Sequence, residues 1–378
     1  MKKRTFKKEL LFGCKWLSFI VLFNMNIMLS NAQSSKEILK TEHINDCPYI
    51  FYEDNNTVEV KWIVNGELKK KTFSNNGFKK LKIKTCEEFK SKYIKIKPSI
   101  RIDNDQKFNG VSKIAVLSDI HGQHDLFIEL LRSNNVINNK GEWSFGKGHF
   151  VVVGDVFDRG DKVTETLWFL YNLEQQAKKT GGKVHYLLGN HEVMILAGND
   201  KYVHDKYKWV SQQMGIPHKE LFGKETLLGE WIRTKPVAIS INNIAFVHAG
   251  FSPEFTEGKY DISTVNQLFH HDIIDHDKET VLENDDLKFM LKKKGPIWYR
   301  GYFRDKDFTK EKAQKILEEM GMKHIVVGHT SMKRVLSHFD GLIYSVDSSM
   351  KKGKYAELLI WEDDQFFRGT LTGELTKI

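Results

Sequence analysis

Carboxylate, imidazole and amide groups recur at the ends of five short apolar runs in this 378-residue chain, and together they form a set of metal-type ligands. Lys113–Ser118 runs into Asp119-Ile120-His121-Gly122, and His149–Val153 into Gly154-Asp155-Val156-Phe157-Asp158-Arg159-Gly160. Val184–Leu188 leads to Gly189-Asn190-His191-Glu192, Ile244–Val247 to His248, and Ile325–Val327 to Gly328-His329. Oxygen and nitrogen donors without thiolate suit borderline cations such as Mn, Fe or Zn, whereas a structural zinc would draw on cysteine. Asp119, His121, Asp155, Asn190, His248 and His329 are too many ligands for one tetrahedral ion. Two ions about 3.5–4 Å apart, bridged by a carboxylate, clamp the attacking and leaving oxygens of a phosphoryl displacement. Asp155 is read as the bridge.

These residues need elements that bring them together. Each run is a short, β-branched stretch closed by Gly or Asp, the pattern of a buried strand. In open α/β sheets the carboxyl ends of the strands line the ligand crevice, so five such endings can converge on one site. Taken singly the motifs are less specific: Asp-x-His-Gly also fits a Gly-bounded turn, and Asn190 fits a helix N-cap. Specificity lies in the ordered set.

In this order, D-x-H-G, G-D-x-x-D-R-G, G-N-H-E, V-H-A-G and V-G-H-T resemble the calcineurin-like metallophosphoesterases, in their phosphoprotein phosphatase branch. Gly295-Pro296-Ile297-Trp298-Tyr299-Arg300-Gly301 and Arg233-Thr234-Lys235-Pro236 are similar to segments of the bacterial Shewanella-like phosphatases; the similarity runs from about Val111 to about Met350. The resemblance implies an α/β fold of two packed mixed sheets flanked by helices, an αββα sandwich. It implies that Asp119, His121 and Asp155 hold one metal, and Asp155, Asn190, His248 and His329 a second, both divalent or trivalent ions (Mn, Fe or Zn). His191, paired with Asp158, would be the general acid, while Arg159 and Arg300, with Asn190, would bind the phosphate. A hydroxide between two cations is a nucleophile at neutral pH, guanidinium forks match phosphate, and a carboxylate-paired imidazole can protonate a leaving oxygen. The implied reaction is direct hydrolysis of phosphomonoesters, on phosphotyrosine or other phosphoprotein side chains, or on small phosphoesters. Two alternatives stand beside it: a phosphodiesterase or dinucleotide polyphosphate hydrolase on the same metal pair, and a non-catalytic binding protein.

The rest of the chain is read for organisation. Residues 1–32 carry six Lys or Arg and one Glu, then the apolar Trp16–Leu29 and the small-residue signal Ser30-Asn31-Ala32, which predicts a cleaved signal peptide. The mature chain is expected to be periplasmic or secreted, without a stable membrane span; an uncleaved membrane anchor is the alternative. Removing that segment lowers the net charge from +9 to +4, which is no nucleic-acid signature. Cleavage leaves Cys47 and Cys86, which an oxidising compartment could join as a disulfide or which could stay as buried thiols.

Residues 33–110 read as a β-rich extension docked on the catalytic domain, with a substrate- or envelope-binding module as the alternative: Thr57–Val64, a turn at Asn65-Gly66, Leu68–Phe73, a short helix at Glu87–Lys92 and an edge strand at Tyr93–Ile102. The catalytic domain, 111–378, alternates strands with helices predicted at His124–Arg132, Val163–Ala177 and Lys310–Met320, the last capped by Thr309 and stopped by Gly321. Asn199–Arg233 reads as a helical cap inserted between ligand strands. Pro236–Val247 reads as a hairpin about Asn242-Asn243, and Leu342–Val346, Tyr355–Trp361 and Gln365–Leu371 as further antiparallel strands. His204, His218, His270, His271, Asp272 and His276 are assigned to solvated surface, and so are the lysine runs Lys69–Lys71 and Lys292–Lys294.

Overall fold

The computed structural model describes residues 41–54, 57–74 and 105–378. The signal segment, Cys86 and the helix and edge strand expected over 87–102 lie outside the described residues. The chain divides into Met1–Thr41 and Glu42–Ile378, and all elements named below belong to the second unit.

Two six-stranded sheets carry the site. In one, β5 (Lys113–Leu117), β6 (His149–Val152) and β7 (Lys183–Tyr186) run parallel, and an antiparallel meander of β13 (Glu357–Glu362), β14 (Gln365–Thr370) and β15 (Leu375–Lys377) continues from β5. In the other, β9 (Ile244–Val247) and β10 (His324–Val327) are parallel neighbours. They are flanked by β8 (Ala238–Ile241), β4 (Lys107–Phe108), β12 (Ile343–Ser345) and β11 (Leu336–His338). The expected hairpin forms as an antiparallel β8–β9 pair turning on Asn242 and Asn243, both at positive φ, the twist that tight hairpins favour. The segment expected to be antiparallel at 342–346 needs correction: β12 is antiparallel to β11 but parallel to β10.

Val116, Val151 and Leu359 from the first sheet meet Phe246, Val326 and Tyr344 from the second in one buried core. Because β5 and β6 are covered on both faces, they are apolar at every position after the first rather than alternating, whereas β7 carries Lys183 and the buried His185. Helices α1 (His124–Ser133) and α2 (Val163–Lys179) pack together beside the first sheet, and α3 (Asn190–Leu196) follows β7 directly. The region at 199–233 holds α4 (Asp205–Met214), a 3-10 turn at His218–Phe222 and α5 (Leu227–Arg233). Helix α6 (Lys310–Met320) starts at Thr309, whose hydroxyl accepts from the Lys312 N–H, and ends at Gly321 with φ +65°.

The N-terminal strands β1 (Asp46–Asp54), β2 (Thr57–Val64) and β3 (Glu67–Ser74) form a separate antiparallel sheet, with Asn65-Gly66 as the β2–β3 turn. It rests on α2 and α5. Trp168 Nε1 donates to the Pro48 carbonyl at 2.9 Å, and the buried Asp46 carboxylate lies 3.3 Å from Lys206 Nζ of α4 and accepts from Tyr49 and Thr164. A buried pair with this many hydrogen bonds fixes position more than it adds stability. Cys47 is disulfide-bonded, its partner lying outside the described residues.

Candidate active site

The five loops that follow β5, β6, β7, β9 and β10 meet at the carboxyl ends of both sheets. Asp119, His121, Asp155, Asp158, Arg159 and His329 all have φ between +47° and +71°, a region that L-residues avoid. Six such residues in one site mark a backbone shaped by function, at a cost of roughly 1–3 kcal/mol each. Hydrogen bonds between the loops hold it: Asp119 N to Gly154 O at 3.1 Å, His121 N to Asp155 O at 3.0 Å, and His329 N to Asp119 Oδ2 at 2.8 Å. Gly154 is required where two loops touch, since at φ +79° a Cβ on it would fall 2.6 Å from Gly189 Cα.

Asp155 Oδ2 is the hub. It lies 3.2 Å from His248 Nε2, 3.7 Å from His121 Nε2 and 3.8 Å from His191 Nε2. His121 Nδ1 donates to the Phe157 carbonyl at 2.6 Å and His248 Nδ1 to the Val153 carbonyl at 2.7 Å. A ring whose Nδ1 is so engaged offers its Nε2 to a metal. Around His248 Nε2, Asn190 Oδ1 stands at 3.0 Å and His329 Nδ1 at 3.2 Å. Ligand atoms sharing one ion at about 2.1 Å stand roughly 3–3.5 Å apart. The distances from His248 Nε2 to Asn190, His329 and Asp155 fit that spacing.

A second group comprises His121, Asp155 and His191, whose ligand atoms all fall within 4.8 Å of one another. Asp119 Oδ1 is 3.7 Å from His121 Nε2. Geometry alone therefore admits His191 beside His121 as a ligand. Its Nδ1, however, is tied to Asp158 by a short hydrogen bond, and burial, which would lower its basicity, is overridden by the Asp155 and Asp158 charges that raise it. The Asp158 carboxylate thus orients the ring, with Nε2 3.8 Å from Asp155 Oδ2. His248 follows the same logic: burial pulls it down, but the adjacent Asp155 charge lifts it to about 9. A proton and a metal ion compete for that nitrogen. Burial would raise Asp119 and Asp155, yet the surrounding imidazoles hold both below the usual carboxylate range. Burial and the His248 and Arg300 charges push His329 well down, leaving its ring neutral.

Arg300 NH1 donates to the His329 carbonyl at 2.7 Å and to Thr330 Oγ1 at 3.3 Å, which fixes the guanidinium at the rim. Arg159 is placed differently: its backbone N–H donates to Tyr202 O at 3.0 Å, and its guanidinium lies 5.1 Å from the Tyr202 ring. Asp119, His121, Asp155, Asp158, Asn190, His191, His248, Arg300 and His329 are thus joined by direct contacts, while Arg159 is held through Tyr202.

Gly189, not Asn190, is the N-cap of α3, and Asn190 is its first helical residue, free to turn its amide to the site. His218 is buried, packed on Phe222 and 3.4 Å from Asp200, and not solvated. His204 caps α4, accepting from Lys206 N, and His270 is half-buried against the Lys235 carbonyl; His271, Asp272 and His276 are exposed as expected. Sequence reasoning assigned no role to Glu192, whose carboxylate accepts from Asp155 N, Val156 N, Gly189 N and Tyr186 OH at 2.7–2.9 Å. Its signal was its place three residues after Gly189, from which a carboxylate can reach back to the N-cap N–H. Asp347 was also missed; burial and the Asp119 charge raise it to about 6, and Lys351 lies 3.3 Å from it and 3.9 Å from Asp119. Tyr202 and Trp298, whose rings lie 5.3 Å from His191 and 5.8 Å from His329, had no periodic signal at all.

A family model described as calcineurin-like phosphoesterase matches residues 112–332. The crystal structure of a cold-active protein-tyrosine phosphatase from a psychrophilic Shewanella species is similar with a TM-score of 0.81 and 37% identity, covering 88% of this chain and 98% of that one. Shewanella-like protein phosphatase 1 of Plasmodium berghei is 28% identical over 263 residues, 65% of this chain and 68% of that protein. A symmetrical bis(5'-nucleosyl)-tetraphosphatase of Pasteurella multocida is 24% identical over 284 residues, 67% of this chain and 94% of that protein.

Proposed function

From the premise that this chain belongs to the calcineurin-like phosphoesterases and is a metal-dependent phosphatase, we propose that it is an exported phosphomonoesterase acting on phosphotyrosine and related phosphorylated side chains with a pair of metal ions. The observation that carries the reading is Asp155 Oδ2 at the centre of three imidazole nitrogens, with a second ligand cluster sharing His248. Asp119, His121 and Asp155 would hold one ion, and Asp155, Asn190, His248 and His329 the other. When bound, the ions lower the pKa of water and neutralise phosphoryl charge.

The chain's own residues do the rest. Arg300, anchored on the His329 carbonyl, and Arg159 present guanidinium groups to the equatorial oxygens, where charge builds in the transition state. His191, held through Nδ1 by Asp158, presents Nε2 to the leaving oxygen and delivers its proton there. No side-chain nucleophile is needed for this chemistry. Tyrosine preference draws support from the 37% identical phosphatase and from the aromatic rings of Tyr202 and Trp298 beside the site. Export rests on the composition of residues 1–32; among the described residues no helix is long and apolar enough to cross a membrane.

The test is an assay with Mn of a phosphotyrosine peptide, a phosphoserine peptide, a nucleoside monophosphate, a dinucleotide tetraphosphate and an aryl phosphodiester, with Asp155→Asn as control. Preference for the phosphotyrosine peptide, absent in the control, supports the proposal. Preference for the diester or the dinucleotide moves the function to the second reading.

A further inference from the structure

A cavity of 1490 Å3 opens beside the phosphoryl site, walled by three separate parts of the chain. Asn190 and Trp298 stand at its catalytic end, Lys219 comes from the 199–233 region, Leu282 from the helical stretch after β9, and Phe51 and Lys61 from the N-terminal sheet. Pockets of about 300–1,000 Å3 already enclose a drug-sized molecule, so a free phosphoamino acid would fill only one end of this one. A dinucleotide polyphosphate has the length but carries charge of a single sign. The walls do not complement it: basic and acidic side chains line them in near-equal number, several paired with each other, as in Lys224–Asp275 at 3.5 Å and Arg233–Asp275 at 2.7 Å. Apolar patches between mixed charges match the surface of a polypeptide.

The N-terminal wall is fixed in place. Beyond the Asp46–Lys206 pair, Tyr52 N donates to the Glu225 carbonyl at 2.8 Å, which joins β1 to the loop before α5. We propose that this groove binds the polypeptide flanking the phosphorylated residue, with the N-terminal sheet as one wall, so that the substrates are phosphorylated protein segments and not small phosphoesters. The inference rests on the phosphatase reading above and names its substrate class.

The test compares kcat/KM for a phosphotyrosine peptide of about ten residues, some 30 Å when extended, with that for free phosphotyrosine. The Mn-loaded protein would be assayed as wild type, Phe51→Ser, Leu282→Ser and Lys278→Glu. The wild type is expected to prefer the peptide at least tenfold, and each apolar substitution to cut that preference about five- to tenfold, the effect of losing one apolar contact. The ratio does not depend on the fraction of folded enzyme, and Lys278 is exposed, so its charge reversal reports on the groove even if an apolar variant folds poorly. Equal efficiency on both esters in the wild type, or an unchanged ratio in all three variants, would overturn the groove. A wild type that hydrolyses neither ester would overturn the phosphatase reading itself.

Discussion

Glu192 accepts the backbone N–H of Asp155 at 2.8 Å and that of Gly189 at 2.7 Å, so one buried carboxylate ties the loop after β6 to the loop after β7. Asp155 sits at φ +60°, and its own Oδ1 accepts the His191 N–H at 3.0 Å. Asp155 and His191 are therefore set by the same anchor. Glu192→Ala would leave several buried N–H groups without an acceptor, a loss of about 3–5 kcal/mol. Urea unfolding should show a lower midpoint at unchanged slope, with Glu192→Gln falling between. A wild-type midpoint in the alanine variant would remove Glu192 from this role.

Asp155 and His191 should separate metal binding from proton transfer. Asp155→Asn is expected to abolish turnover together with metal content. His191→Ala should lower kcat about 10²–10⁴-fold while keeping both ions. Elemental analysis alongside kinetics decides, and equal metal loss in the two variants contradicts the assigned roles.

Arg300→Lys keeps the charge and loses the fork. Because Arg300 is oriented by the His329 carbonyl and Thr330, the shorter-reaching point charge should cost roughly 10²-fold in kcat/KM. Metal content should stay at the wild-type level. An unaltered kcat/KM would place Arg300 outside the phosphate contacts.

Chelation should lower thermal stability as well as activity. A ligand that binds only the folded chain stabilises it by about 2.7 kcal/mol at a hundredfold excess over Kd. Adding Mn to stripped protein should raise Tm in wild type and leave Asp155→Asn unmoved. An identical rise in both would assign the effect to a different site.

Two histidines away from the metal loops give a pH dependence. His149, at the start of β6, and His185 share a hydrogen bond of 3.0 Å. Burial, reinforced by the Lys183 charge, lowers His149 to about 4; burial and the His149 charge hold His185 well below its ordinary value. The unfolded chain thus binds protons near pH 6.5 that the folded chain refuses. Stability is present above that pH and is lost as pH falls from about 6.5 towards 4, by up to about 1.4 kcal/mol per pH unit for each proton. The difference in ΔG between wild type and His149→Leu/His185→Leu, followed from pH 7 to 4.5, should therefore shrink or reverse as acid is added. A pH-independent difference would exclude the pair.

Much of this molecule was legible in its residues. The five ligand strands announced themselves because a strand buried on both faces is apolar throughout and must end where a charged ligand begins. Asn65-Gly66 and Asn242-Asn243 announced their hairpins because few residues tolerate positive φ. The ordered motifs supplied the family.

What the chain's order could not supply was distance between parts remote in sequence. That His191 stands as near to Asp155 as His121 does, 3.8 against 3.7 Å, is visible only once both sheets have packed. The contacts of Glu192 with the loop after β6, of Asp347 with Asp119 and of Tyr202 with Arg159 join parts of the chain dozens to hundreds of residues apart, and no local periodicity encodes them. His218 was assigned to the surface because a polar neighbourhood in sequence suggested water, whereas the folded chain wraps Phe222 and Tyr207 around it. The large cavity is the clearest case: its walls come from near residues 51, 219 and 282, and only tertiary packing sets them face to face. Local chemistry fixes which residues can end a strand or turn a chain, while long-range burial decides which of them meet.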